Sequence, residues 1–266
     1  MMNIFLKEMS AHRKSLIFWS IGVFLMVASG MVKYESLASS GQPMNEMLAG
    51  MPKSLLAVLG IGEFDISTAA GYYGLLFIYL LLMATIHAAM LGATMISKEE
   101  RDKTSEFLFV KPVSRNQIIT AKLLAAFVNI LLLNLVTLLS SLVLVGKYSN
   151  GEVVSGDIAI TMAGMFILQT LFLVIGTSLA AVIKKSKRSA SMATGILLLT
   201  YVISVAIDLN EHFEGLKYLT PFKYFEAKNL MLGEGFELIF VILSVGLIAG
   251  LTVITFVFFK KRDLNV

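Results

Sequence analysis

The sequence predicts an all-α integral membrane protein with six transmembrane helices, and two observations support that fold class. Of its 266 residues, 57% are hydrophobic and only 15% are charged, whereas about a quarter of the residues of a typical soluble domain are charged. Six continuous apolar runs approach or exceed the roughly 20 helical residues that cross a bilayer. Because the runs do not alternate between apolar and polar residues, they predict helices rather than the strands of a membrane barrel.

The predicted elements follow one another through a single membrane domain, residues 1–266. A basic amphipathic segment, Met1–Ser15, comes first and is expected to lie along the membrane surface. The six spans are predicted at Leu16–Val32, Gly71–Ile96, Ile118–Val145, Ile158–Ile183, Ala190–Ile207 and Leu238–Phe259. Two longer connections, residues 33–70 and 208–237, lie on the same side of the membrane. The aromatic residues of the second predict that it packs at the membrane interface.

The distribution of Lys and Arg predicts which side of the membrane faces the cytoplasm. Sixteen of the 22 basic residues lie near the span ends on one side, the side that also holds both chain termini. Because basic residues concentrate in cytoplasmic connections, both termini are predicted to be cytoplasmic, and 33–70 and 208–237 are predicted to be outer loops. The same asymmetry accounts for the net charge of +4, so no nucleic-acid partner is predicted.

The connection between spans two and three, residues 97–117, carries signals that start and stop a helix. Ser97–Glu100 has the S-x-x-E pattern of a capping box, which predicts a helix start, and Pro112 predicts where that helix ends. Ser114–Gln117 has the related S-x-x-Q pattern and is predicted to open span three. The bounded helix also carries an apolar patch, Phe107–Val110, which favours a docking element over a plain solvated loop.

No motif in the sequence supports catalysis, so no catalytic residue is predicted in this chain. It contains no P-loop pattern for binding ATP, no H-E-x-x-H pair and no G-x-S-x-G turn. The chain has no cysteine, and His12, His87 and His212 lie in three different compartments of the predicted topology. No metal site or cofactor is therefore predicted in the chain.

Several polar side chains lie within the predicted spans, where they are costly and are often functional. Asn134, Thr137 and Ser141 share one face of span three, and Gln169 lies in span four. Two interpretations stay open: these groups hold helices together by hydrogen bonds, or they line a translocation path. His87 is interpreted as a neutral packing histidine, because no span offers a carboxylate at its depth.

Residues 96–125 resemble the signature of permease subunits of bacterial ABC-2 type ATP-binding-cassette exporters. Glu100, Thr104, Glu106 and Leu108 are followed by Pro112 to Arg115 and then by Lys122 and Leu123, as in that family. The resemblance implies that Met1–Ser15 is an elbow helix and Ser97–Phe109 a coupling helix. The residues that it implies for ATPase coupling are Ser97, Glu99, Glu100, Arg101, Thr104, Glu106, Phe107, Pro112 and Arg115.

The same resemblance implies a function and a set of partners. The chain would be the transmembrane subunit of an exporter in the bacterial cell membrane, moving an amphipathic or lipophilic cargo such as a peptide, lipid or drug outward. Separate cytoplasmic ATPase subunits would bind ATP and Mg, and a second permease copy would complete a homodimer or heterodimer.

Two other functions stay open beside this one. An ATPase-independent secondary transporter is disfavoured, because the spans contain no proline and no deep Asp or Glu. A membrane-embedded immunity or sensory protein without transport is the second alternative.

Overall fold

The computed structural model describes residues 1–39, 48, 50–52, 54–56, 64–101, 113–149, 151–183, 186–231, 233 and 235–261, without the side chains of residues 99, 101, 186, 187 and 211. Within these ranges the regular elements are all helical and no strand occurs. The prediction of an all-α fold is therefore confirmed.

In the described part of the chain, six long helices form the body, with shorter helical turns between the last two. The long helices are α1 Met2–Ser39, α2 Ala69–Arg101, α3 Arg115–Tyr148, α4 Ser155–Val182, α5 Ser186–Leu209 and α7 Leu238–Lys261. Between α5 and α7 lie two 3-10 helices, Glu211–Leu219 and Pro221–Lys223, and the short helix α6, Ala227–Met231. All six long helices are long and apolar enough to cross a membrane, and each coincides with a predicted span.

Helix α1 is longer than the predicted first span and includes the predicted elbow segment. Its 38 residues run without a break across Ser15, which gives a length of about 57 Å at 1.5 Å per residue. Residues 2–21 contain neither proline nor glycine, so nothing in the sequence interrupts the helix there. A separate elbow helix at Met1–Ser15 is therefore not confirmed.

Helix α2 continues past the predicted start of the surface helix at Ser97. The Ser97 hydroxyl donates a 2.7 Å hydrogen bond to the Ala93 carbonyl, one turn earlier in the same helix. Serine inside a helix commonly bonds back to the carbonyl four residues before it. The prediction that Ser97 is a helix N-cap is therefore wrong, and the rest of the predicted coupling helix, residues 102–109, lies outside the described residues, as does its stop at Pro112.

The second predicted capping box is confirmed at the start of α3. Ser114 has an extended backbone, and its Oγ accepts a 3.2 Å hydrogen bond from the Gln117 N–H. In return, Gln117 Oε1 accepts a 3.1 Å hydrogen bond from the Ser114 N–H. The two bonds satisfy backbone donors that a helix start otherwise leaves unpaired, so they define where α3 begins.

The centre of the bundle is the crossing of α2 with α4, while α1, α5 and α7 lie at the periphery with most of their apolar side chains partly or fully exposed. At the crossing, Gly92 and Gly176 bring the two backbones into contact. A Cβ atom added to Gly92 would lie 2.3 Å from the Leu173 carbonyl oxygen, and one added to Gly176 would lie 2.4 Å from the Ala89 carbonyl oxygen. Small residues at such positions let membrane helices approach closely.

Candidate coupling and translocation sites

One end of the bundle collects basic residues and is called the basic end below. It is formed by the first turns of α1, α3 and α5 and by the last turns of α2, α4 and α7. Its basic side chains among the described residues are Lys7, Arg13, Lys14, Lys98, Arg115, Lys122, Arg188, Lys260 and Lys261. The connection between α2 and α3, which holds four of the nine residues predicted for ATPase coupling, starts and finishes at this end.

An apolar cluster packs five helix ends together at the basic end. It contains Ile4 of α1, Ile96 of α2, Ile118 of α3, Ala181 of α4 and Phe259 of α7, all of them buried. Because the hydrophobic effect favours keeping these surfaces out of water, the five ends form one packed unit rather than five independent termini.

Four ionisable side chains from α1, α2 and α3 meet beside this apolar cluster, and they are called the Glu8 cluster below. Glu8 Oε1 lies 3.7 Å from Lys122 Nζ, and Glu8 Oε2 lies 3.6 Å from Lys98 Nζ and 3.9 Å from His12 Nε2. Lys122 Nζ also donates a 2.6 Å hydrogen bond to the Met95 carbonyl. Glu8 is 2% exposed and Lys122 is 1% exposed, so each depends on the other for a compensating charge.

Sequence reasoning gave Glu8 no functional role. The sequence feature that could have identified Glu8 is its spacing of four residues from Ile4. This spacing places the Glu8 carboxylate on the apolar face of an amphipathic helix. Its partners are about 90 and 114 residues further along the chain, so only the packing of the three helices identifies them.

Arg115, one of the residues predicted for coupling, connects α3 with α7. Its Nη1 atom donates a 2.8 Å hydrogen bond to the Lys260 carbonyl in the last turn of α7. The final carbonyls of a helix have no partner within the helix and carry a partial negative charge, so a guanidinium is a favourable cap. Arg115 therefore links the first residue of α3 to the end of the last span.

The other residues predicted for coupling are described only in part. Ser97 is buried in α2, Glu100 is partly exposed in its last turn, and the structure gives only the backbone of Glu99 and Arg101. Four residues lie outside the described part of the chain: Thr104, Glu106, Phe107 and Pro112. The coupling role of the whole set stays a prediction.

The residues considered for a translocation path lie between helices inside the bundle. Asn134 Nδ2 donates hydrogen bonds to the Met162 carbonyl at 3.1 Å and to Gln169 Oε1 at 3.2 Å, which joins α3 to α4. The Tyr73 hydroxyl of α2 donates a 3.0 Å hydrogen bond to Ser141 Oγ of α3.

The fourth of these residues, Thr137, donates a 2.8 Å hydrogen bond to the Leu133 carbonyl of its own helix. All four side chains are buried in this chain. The contacts of Asn134, Gln169 and Ser141 are those of the packing interpretation, in which polar groups hold helices together, while Thr137 bonds only within its own helix. A role in lining a path stays a prediction without support from this geometry.

His87 packs at the interface between α1 and α2. The residue is buried, and its ring centroid lies 5.3 Å from that of Trp19. This aromatic contact joins the first two spans at a level between the basic end and the opposite end of the bundle.

At the opposite end, the described part of the connection 208–237 folds back onto the bundle. The Phe222 ring lies 5.3 Å from Phe172 of α4 and 5.4 Å from Tyr201 of α5. The Tyr224 ring stacks on Phe240 of α7 at 4.8 Å. These rings pack the connection against α4, α5 and α7, and its position at the membrane interface stays a prediction.

A small ionic cluster holds the same connection in place. Lys223, which is buried, forms ion pairs with Asp208 at the end of α5 and with Glu226. Burial raises the pKa of the Glu226 carboxyl above its ordinary value, and the neighbouring Asp208 adds to the increase while Lys223 opposes it. The cluster joins the second 3-10 helix to α5 by charge as well as by packing.

Comparison with known proteins identifies the family of the chain. A family model described as ABC-2 family transporter protein matches residues 2–264, while a sequence search of curated proteins finds no match. The match confirms the resemblance seen in residues 96–125 and extends it over nearly the whole chain. Together with the six membrane-length helices it shows a multi-pass membrane protein, and the family implies association with ABC ATPase subunits. The chain belongs to the ABC-2 transporter family, as the membrane permease of an ABC transporter.

Proposed function

We propose that the chain is the membrane subunit of a bacterial exporter that moves an amphipathic or lipophilic cargo outward, driven by separate ATPase subunits. The observation that carries this proposal is the family match over nearly the whole chain, in a sequence without a P-loop. ATP and Mg then belong to the partner subunits, and this chain supplies no catalytic residue. The basic end lies in the cytoplasm by the positive-inside rule, with both termini.

The ATPase docks at the basic end, on the connection between α2 and α3. Residues Glu99, Glu100, Arg101 and Glu106 supply charge for this contact, and Arg115 at the end of the connection links it to α7. Because the backbones of α2 and α4 touch at Gly92 and Gly176, a displacement of α2 is passed to α4 without a compressible side chain between them. The packed core carries the motion away from the ATPase.

The apolar side chains of the spans favour a lipophilic cargo over an ion. The described spans expose mostly aliphatic and aromatic side chains, and the buried Asn134, Gln169 and Ser141 are used in contacts between helices. The exposed faces of α1, α5 and α7 are available to lipid, to a second permease copy or to cargo. Two copies of the chain, or this chain with a related one, form the working transporter.

Copurification with the ATPase tests the docking surface. Charge reversal at Glu100 and Glu106 to lysine should abolish binding of the ATPase and the stimulation of its activity. Glu35→Lys, in an exposed position at the far end of α1, is the matched control and should leave both unchanged. Retention of binding and stimulation by the double reversal contradicts the docking surface.

Vesicle assays separate export from the alternatives. Inside-out proteoliposomes containing the chain and the ATPase should accumulate a fluorescent phospholipid or a hydrophobic dye only when ATP is supplied. Accumulation driven by a proton gradient without ATP would instead show a secondary transporter. Absence of any ATP-dependent movement, with the ATPase bound, would favour an immunity or sensory role.

A further inference from the structure

The Glu8 cluster has a composition that structural stability alone does not require. An aliphatic residue at position 8 would join the neighbouring apolar cluster without the cost of removing a carboxylate from water. A buried carboxylate between two ammonium groups instead gives a contact whose strength depends on the relative positions of three helix ends. The energy of such a contact changes steeply with distance in a poorly solvated site.

The position of the two lysines connects this contact to the coupling connection. Lys98 lies in the last turn of α2, between the predicted coupling residues Ser97 and Glu99, and Lys122 lies two turns into α3. Lys122 also bonds to the Met95 carbonyl of α2 at 2.6 Å. The ends of α2 and α3 are thus joined to one another, and Glu8 joins α1 to both.

We propose that Glu8 is a positioning residue for energy coupling: its charge holds the first turns of α1 to the ends of α2 and α3, so that the three ends move as one unit. The claim that an ATPase drives this movement, by acting on the α2–α3 connection, rests on the proposed function. The ionic attachment of α1 does not rest on it.

Distances between spin labels in the full chain test the attachment directly. The sequence contains no cysteine, so Ser10→Cys on α1 and Asn116→Cys on α3, both exposed, give a single labelled pair. The pair is measured by electron paramagnetic resonance in lipid nanodiscs. Glu8→Gln keeps the size of the side chain and removes its charge, Glu8→Asp keeps the charge, and Glu35→Gln is the control on an exposed part of the same helix.

The Glu8→Gln variant should give a broader distance distribution centred at a longer distance. Glu8→Asp should restore most of the original distribution, and Glu35→Gln should leave it unchanged. An unchanged distribution in Glu8→Gln overturns the proposal. Equal shifts in Glu8→Gln and Glu8→Asp also overturn it, because the shape of the side chain would then matter and its charge would not.

Glu8→Gln leaves the buried Lys122 without its compensating charge and should lower stability, although the packing of Ile4 and the 3.1 Å hydrogen bond from Asn129 to the Met9 sulfur are kept. If the variant nevertheless fails to fold, Lys98→Gln removes charge from the more exposed side of the cluster. A wild-type distribution in Lys98→Gln then overturns the proposal, and a broadened one supports it.

A second measurement asks whether the three ends move together. In the complex with the ATPase, trapping with ATP and vanadate should leave the distance between labels 10 and 116 unchanged in the wild type and should alter it in Glu8→Gln. An equal change in both would show that α1 moves independently, against the proposal. If no ATPase binds the wild-type chain, the proposed function fails, and the nucleotide-free distances still decide whether Glu8 positions α1.

Discussion

Substitution of Gly176 by alanine tests the close backbone contact at the crossing of α2 and α4. The added Cβ atom would lie 2.4 Å from the Ala89 carbonyl oxygen and 2.9 Å from the Ala93 backbone nitrogen. Both neighbours are backbone atoms of a packed helix, so neither can rotate away. Restoring a contact of 3.4 Å, the lower limit of ordinary van der Waals contact, requires the helices to separate by about 1 Å.

The expected change in the free energy of unfolding is a packing cost that is partly offset by a gain in helix propensity. Overpacking of a well-packed core costs about 1–3 kcal/mol, and a 1 Å separation also weakens dispersion contacts along the crossing. Alanine is a better helix former than glycine by about 1 kcal/mol, which offsets part of the cost. We expect Gly176→Ala to lower the free energy of unfolding by about 1–2 kcal/mol.

The assay is unfolding of the purified chain in mixed micelles, followed by circular dichroism. Gly195→Ala is the matched control, because a Cβ atom at this position of α5 meets nothing within 4 Å. The control should be neutral or slightly stabilising, by up to about 1 kcal/mol. A Gly176→Ala chain as stable as the wild type, or a control destabilised to the same extent, refutes the close backbone contact.

Three further predictions concern particular hydrogen bonds and charges. Ser114→Ala removes one arm of the capping box and should lower the unfolding free energy by about 1 kcal/mol, measured by the same denaturation. Asn134→Leu should cost about 1 kcal/mol, the usual value of a hydrogen bond between membrane helices, and should leave dye selection in the vesicle assay unchanged; altered selection would instead favour the path interpretation. Because burial raises the pKa of Glu226 from 4.5, the folded chain binds a proton more readily than the unfolded chain between that value and the folded pKa. Stability should therefore fall as pH rises through this window, and Glu226→Gln should flatten the slope of unfolding free energy against pH.

The spans were predictable because each depends on a local property of the sequence. A continuous apolar run specifies a membrane helix whatever its neighbours are, and the Ser114 capping box needs only residues within one turn. The same pattern at Ser97 misled the prediction, because a capping box starts a helix only where the preceding residues leave the helical conformation. The residues before Ser97 contain no proline and continue α2 instead.

The Glu8 cluster and the Gly92–Gly176 contact could not be predicted in this way. Glu8 pairs with side chains of two helices that are distant in the sequence, and a glycine inside an apolar run gives no indication of what lies opposite it. Both features depend on how the helices are arranged around one another. That arrangement is a property of the packed bundle and not of any single segment.

The contact between Trp19 and His87 gives the protein a built-in optical reporter. Trp19 is the only tryptophan in the chain, and its ring centroid lies 5.3 Å from that of His87 across the α1–α2 interface. Indole emission changes with the polarity and the identity of groups within a few ångströms, so a single fluorophore senses separation of the first two spans. Any stage of a transport cycle that parts these helices should therefore alter the intrinsic fluorescence of the unlabelled wild-type protein, in real time and in its native lipid.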